Sequence, residues 1–190
     1  MKTWSQDKVF EYNSYSYERA LDLINREFPV RYSRAFEKCA VPAMQADFFR
    51  YCVLSVFGGI YVDADTSNGG GVEALIGDGP RGTFMERHNN IANDFMYFSK
   101  PGDPLLSDVI DCVVENIVGE VSQNVWAVTG PGVLTGLYAG NCESELFQDI
   151  NILSVKIVRK SVLFKWDMEY KKTAVDWRVG FGVGIKNIYK

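Results

Sequence analysis

Residues 46–66 read ADFFRYCVLSVFGGIYVDADT: an apolar helical run, a glycine pair, a short apolar strand and then two carboxylates. Phe48, Phe49, Cys52, Val53, Leu54, Val56 and Phe57 leave so little polar surface that a helix here must be largely buried. That helix is predicted to start near Pro42 and to end at Gly58-Gly59, where glycine supplies the left-handed C-terminal cap. Ile60–Val62 then reads as a short buried strand that stops where Asp63 and Asp65 begin. Helix, glycine pair, strand and acids in this order are α/β-like, and in such sheets ligands gather beyond the carboxyl ends of strands.

Side chains of an extended segment repeat every two residues, so Asp63 and Asp65 are expected to face one side and to share one hard cation. An all-oxygen pair with no neighbouring His or Cys suits Mg²⁺ or Mn²⁺, which keep several waters and complete their shell with phosphate oxygens. A solvated loop carrying two acids produces the same D-x-D, so the context has to decide. Upstream, Asp47 and Arg50 are three apart and share a face of the buried helix. Charges there need partners, which either a polar site or a structural i,i+3 ion pair supplies.

Working outward, a helix is predicted over Tyr17–Glu27, ended by Pro29, with Leu21, Ile24 and Phe28 at helical spacing. SNGGGVEALIGDGPRG reads as loop broken by a short turn, and GTFMER and DFMYFS as strands. DPLLSDVIDCVVENIVG is an amphipathic helix with Leu105, Val109, Cys112, Val113 and Ile117 on one face. GPGVLTGLYA is a further helix with Pro131 in its first turn, and NILSVKIV and SVLFKW are late strands. The alternation predicts a mixed or mainly parallel sheet covered on both sides.

At 190 residues, 47% apolar and 23% charged, the chain is expected to form one globular domain over 1–190. A net charge of -4 argues against nucleic acid, although the last third is the more basic, with Lys156, Arg159, Lys160 and Lys165 among others. Cys39, Cys52, Cys112 and Cys142 are too widely spaced for zinc or a compact disulfide framework and are expected to be reduced. No apolar run resembles a signal peptide or a transmembrane segment, so a cytoplasmic setting is expected.

Ala46, Asp47, Arg50, Tyr51, Leu54, Gly58, Gly59, Tyr61, Asp63 and Asp65 together resemble the pattern A-D-x-x-R-Y-x-x-L-x-x-x-G-G-x-Y-x-D-x-D of glycosyltransferase family 32 and its DXD-motif relatives. Those relatives include initiating mannosyltransferases, capsular polysaccharide enzymes and large glucosylating toxins. VFEYNSYSYERALDLINREFP, NNIANDFMYFSKPGDPLLSDVI and VTGPGVLTGLY are similar to the segments around that motif. The resemblance implies a GT-A fold, an α/β mixed sheet flanked by helices. It also implies retaining transfer of a sugar from a UDP- or GDP-linked donor to a glycan or other hydroxyl acceptor. By the same resemblance Asp65 binds Mn²⁺ or Mg²⁺, and Asp63 contacts the metal shell or the donor's ribose and sugar hydroxyls. Asp47 and Arg50 hold the transferred sugar, and Tyr51 and Asn93 bind substrate.

KKTAVDWR resembles the family's closing segment, with Lys172 or Thr173 where His is usual and Asp176 in place of the Ser before Trp177. Asp176 is then a candidate metal ligand, Trp177 a substrate contact and Arg178 a phosphate contact. Gly130 and Pro131 are further candidates that a helix start explains equally well, and His88 is given no catalytic role. The family's opening strand, of the P-K-I-I-H-x-x-W kind, has no counterpart here, which would leave a sheet edge for a second copy or another partner to cover. One alternative is a nucleotide-sugar-binding relative without turnover. Another is a haloacid-dehalogenase-like phosphatase with Asp63 as nucleophile and Asp65 as acid, for which no later Lys and acidic pair can be placed. An EF-hand loop is excluded by Asn68 at the glycine position and Ala74 in place of the bidentate Glu.

Overall fold

A computed structural model describes residues 4–6, 8–77, 79–165 and 187–190. Ser16, whose hydroxyl accepts from the Arg19 amide, caps helix α1 at Tyr17–Glu27. Pro29 then opens α2, Val30–Lys38, a helix the sequence reading did not place. The buried face of α1 is Ala20, Leu23 and Ile24, with Leu21 and Phe28 only partly covered.

Helix α3, Pro42–Phe57, passes through the core with Phe48, Tyr51 and Cys52 fully buried. It ends as expected at Gly58, whose φ of 68° only glycine adopts without strain and whose Cβ position would lie 3.0 Å from the Phe98 carbonyl oxygen. Strand β1, Gly59–Val62, comes next, then β2, Thr66–Asn68, and the short helix α4, Glu73–Ile76. β3, Gly82–Arg87, and β4, Asn90–Phe98, form a hairpin through His88 and Asn89, both at positive φ. That turn accounts for His88 structurally, and β4 begins four residues before the expected DFMYFS.

Asp103 caps α5, Pro104–Val118, which buries Leu105, Val109, Val113 and Ile117 as its periodicity predicts. Short α6, Val125–Val128, leads into α7, Pro131–Asn141. The run expected as one late strand divides instead into β5, Ile150–Ser154, and helix α8, Val155–Val158, before β6, Val162–Phe164. Ser154, in extended backbone, sits at the N-cap position where the change of period occurs.

The result is a mixed α/β fold whose four-stranded sheet runs β1-β4-β3-β5. Its β1–β4 and β4–β3 pairs are antiparallel and β3–β5 is parallel, so of the two expected alternatives the sheet is the mixed one and not the mainly parallel one. A hairpin, not a helical crossover, joins β3 to β4, and a hairpin forces antiparallel pairing. One face, with Phe84, Met96 and Phe98, packs under helices α1, α2, α3, α5, α6 and α7. The other, with Met85, Ala92 and Phe95, is closed by Trp4, Val72, Leu75, Val158 and Val162. β2 and β6 make a separate two-stranded sheet on that side.

Among the described strands β1 lies at the edge of the sheet, and along it lies a cavity of about 1020 Å³ whose wall includes Trp4, Phe10, Tyr15, Phe49, Tyr61 and Ala64. The β3–β4 register also jumps: Phe84 faces Met96 while the next residue, Met85, faces Ala92. Asn93, Asp94 and Phe95 therefore have no β3 partner, and the bulge swings their side chains out of simple alternation.

Candidate active site

β1 ends at Val62, and Asp63–Asp65 form a tight turn closed by the Thr66 amide donating to the Asp63 carbonyl at 3.0 Å. The two acids are thus brought together by a turn rather than by extended-strand periodicity, which corrects the sequence expectation. The turn is pinned from several directions. Thr66 Oγ1 donates to the Asp63 carbonyl at 2.7 Å and accepts from Trp4 Nε1 at 3.1 Å. The Asp63 amide donates to the Asp94 carbonyl at 3.2 Å, and the Lys165 amide to the Asp65 carbonyl at 2.8 Å. Such fixing holds carboxylates in place before any ligand arrives.

Helix α3 brings Asp47, Arg50 and Tyr51 against this turn. Arg50 Nη2 lies 2.9 Å from Asp47 Oδ1, and its Nη1 lies 3.2 Å from Asp63 Oδ1 and donates to the Asn93 carbonyl at 2.6 Å. The guanidinium also covers the Tyr61 ring at 4.6 Å, and Tyr61 donates from its hydroxyl to Asp63 Oδ1 at 3.1 Å. The i,i+3 ion pair read from the sequence therefore exists and is buried, and Arg50 extends it to Asp63.

The bulge delivers Asn93 to the centre of this network. Its Nδ2 donates to Asp47 Oδ1 and to the Tyr51 hydroxyl, each at 3.0 Å, and the Tyr51 hydroxyl in turn donates to the Thr129 carbonyl at 3.2 Å. Thr129 Oγ1 reaches Asp47 Oδ2 at 3.3 Å. The approach requires Gly130, where a Cβ would stand 3.2 Å from Asp47 Oδ2 and 3.0 Å from the Trp126 Cα. Gly130 is thus a close-packing residue, and Pro131 is the first residue of α7. Trp177 and Asp176, with Lys172, Thr173 and Arg178, lie outside the described residues.

Of Tyr61, Thr129, Asp94 and Arg87, the sequence singles out the first alone. Tyr61 is a motif position, but the other three meet the site only through the bulge and the α6–α7 junction, which leave no local pattern. Arg87 Nη2 pairs with Asp94 Oδ2 at 2.8 Å.

Burial and charge work against each other here. Asp47 is 8% exposed, and burial raises its carboxyl although Arg50, Asn93 and Thr129 favour the anion. Asp63, whose side chain is 33% exposed, is pushed from an ordinary 3.8 to about 6, first by burial and then by the carboxylates of Asp94, Asp47 and Asp65, with Arg50 opposing. Burial alone would weaken Arg50's hold on its proton, but Asp63, Tyr61 and Asp47 more than offset this, so it stays charged. Burial likewise holds the Tyr51 and Tyr61 phenols protonated as donors.

Among the described residues the carboxylates of Asp47, Asp63, Asp65 and Asp94 gather around this corner with the guanidiniums of Arg50 and Arg87. The oxygen-only donors of Asp63 and Asp65 suit a hard divalent ion. The Tyr61 hydroxyl and the Arg50 guanidinium both meet Asp63 at Oδ1, and neither uses Oδ2. Among the described residues no group of three His, Cys, Asp or Glu is arranged to enclose an ion. Asp63 and Asp65 would therefore hold one with water and ligand oxygens completing its shell.

Residues 3–75, which include Asp47, Arg50, Tyr51 and the Asp63–Asp65 turn, match a family described as the glycosyltransferase sugar-binding region containing DXD motif. This stretch is therefore similar to a DXD-containing sugar-binding region; Asn93 and Thr129 lie beyond it. Among solved structures the chain is similar to the PaToxG glycosyltransferase, at 27% identity and a TM-score of 0.41, covering 52% of this chain and 35% of that one. No curated protein matches. Among the described residues no helix is long and apolar enough to cross a membrane.

Proposed function

We propose that this chain is the donor-binding part of a retaining glycosyltransferase that moves a sugar from a UDP- or GDP-linked donor to a glycan or other hydroxyl acceptor. What supports the reading most is the position of the Asp63–Asp65 turn. It lies inside the matched region, pinned at a strand end and joined by Arg50 to the buried Asp47–Asn93–Tyr51 network. Asp65 and Asp63 hold Mn²⁺ or Mg²⁺, which supplies Lewis-acid stabilisation of the departing diphosphate. The cavity beside Ala64, whose lining includes Trp4, Phe10 and Tyr61, is the place for the nucleoside.

Asp47 and Arg50 orient the sugar's hydroxyls, with Asn93 and Tyr51 fixing both. Because Arg50 is held on three sides, it meets the sugar without first losing side-chain freedom. Asp176 and Trp177 belong to the same reading, as a further metal ligand and a contact to the substrate. Pairing of a second copy along the side of β1 away from β4 is a subsidiary proposal that oligomeric state in solution measures.

The test is release of nucleoside diphosphate from a panel of UDP- and GDP-sugars with and without Mn²⁺. Metal-dependent release of one sugar is the expected result. A thermal shift with Mn²⁺ plus nucleotide but no release would identify a binding relative, and phosphate release from a simple phosphoester without nucleotide would point to the phosphatase.

A further inference from the structure

Asp94, the acid of the Arg87–Asp94 pair, stands one step past the last rung of the β1–β4 ladder. Beyond Val62 and Phe95 the pairing continues for one step, because the Asp63 amide donates to the Asp94 carbonyl at 3.2 Å. The main chain of Asp94 therefore holds the first acid of the turn. Its side chain turns to Arg87 at the end of β3, with Oδ2 at 2.8 Å and only 15% of the side chain exposed. Oδ1 is buried and has no hydrogen-bond partner among the described residues.

A buried carboxylate with half its acceptor capacity unmet is costly, and a structural ion pair would be expected to use both oxygens, because arginine offers a two-pronged fork. Here one Arg87 nitrogen meets one Asp94 oxygen, and the guanidinium also lies over the Phe164 ring at 5.3 Å. The Asp94 charge also bears on both Asp63 and Asp47, raising the carboxyl of each. Asp94 thus adds negative potential to the turn, and Arg87 is the group placed to cancel it.

We propose that Asp94 is a positioning residue that sets the cation affinity of the Asp63–Asp65 turn, and that Arg87 restrains that affinity by pairing with it. The inference rests on the reading of the turn as a divalent-cation site. A bound cation would gain from a fixed anion just outside its own ligands, as charges in low-dielectric surroundings act beyond contact distance.

The two halves of the pair give opposite predictions, which a purely structural ion pair does not. Binding of Mn²⁺ alone, and with UDP or GDP, is measured by loss of the free-ion electron paramagnetic resonance signal. Asp94→Asn is expected to weaken binding about tenfold and Arg87→Gln to tighten it about threefold, the range that one unit charge exerts on a divalent ion nearby. Asp94→Glu and Arg87→Lys, which keep the charges, are expected to stay within about twofold of the native protein. Circular dichroism melts accompany each variant, and if Arg87→Gln does not fold, Asp94→Asn against Asp94→Glu decides.

Affinities that fall together in Asp94→Asn and Arg87→Gln, or an equal loss in Asp94→Glu and Asp94→Asn, would overturn the proposal while leaving the cation site intact. Absence of Mn²⁺ binding by the native protein, with either nucleotide, would remove the cation reading and this inference with it.

Discussion

Asp47→Asn separates charge from hydrogen bonding at the corner where α3 meets the bulge. In the native protein one hydroxyl proton on Thr129 is offered both Asp47 Oδ2 and the Val125 carbonyl, each at 3.3 Å. An amide nitrogen in place of Oδ2 donates to Thr129 Oγ1 and releases that proton for Val125. The retained oxygen still accepts from Arg50 and Asn93. All hydrogen bonds survive and only the charge is lost, while Arg50 keeps Asp63 and the Asn93 carbonyl. Since burial already disfavours the Asp47 anion, the expected cost is about 1–2 kcal/mol.

Asp47→Leu, which strands Arg50 and Asn93 together, is expected to cost about 3–5 kcal/mol. Urea denaturation at pH 7 with an unchanged m-value reads the difference, and each kcal/mol should lower Tm by about 2–4 °C in a chain of this size. Metal–nucleotide binding should survive Asp47→Asn while sugar release is lost. Equal destabilisation by Asn and Leu would refute the hydrogen-bond account, and full sugar release by Asp47→Asn would make Asp47 a structural residue only.

The geometry of the turn and of the β1 start gives three further outcomes. Because the folded protein holds the Asp63 proton up to about 6 while the unfolded chain releases it near 3.8, this group's contribution to stability falls as pH rises through that window and is level above it. Native minus Asp63→Asn stability should therefore drop by about 1–2 kcal/mol between pH 4 and pH 7, the full linkage value being reduced for partial exposure; a flat or rising difference refutes it. Gly58→Ala, at positive φ and against the Phe98 carbonyl, should cost roughly 2–3 kcal/mol by urea midpoint, and a neutral result would mean that β1 can shift. Asp65→Ala should abolish Mn²⁺-linked nucleotide binding in calorimetry with a Tm change under about 2 °C, and retained Mn²⁺-dependent sugar release would defeat the metal assignment.

The elements the sequence resolved are those with local punctuation. Ser16 starts α1, Pro42 and Gly58 bracket α3, and Asp103-Pro104 starts α5. Pro29 was read only as a stop for α1, whereas it also begins α2, since proline fits a helix start as well as an end. β2 and β6 pair across almost a hundred residues, and three-residue strands carry too little periodicity to be seen. Asp47, Arg50, Asp63 and Asp65 converge because one helix, one glycine turn and one strand carry them all. Asn93 was named through resemblance, but the bulge that aims it depends on register with Phe84 and Met85 and cannot be read from β4 alone. Asp94 and Thr129 look like ordinary polar residues until the chain is folded.

The same bulge has a consequence for redesign. Residues 93 and 94 have no rung with β3 to maintain, so exchanging their side chains leaves every strand pairing of the hairpin in place. They serve two different neighbours of the turn: Asn93 the Asp47–Tyr51 side, Asp94 the Arg87 side. A two-codon library at these positions would therefore vary the Asn93 hydrogen bonds and the Asp94 ion pair, both of which bear on Asp47, without touching a β3–β4 rung.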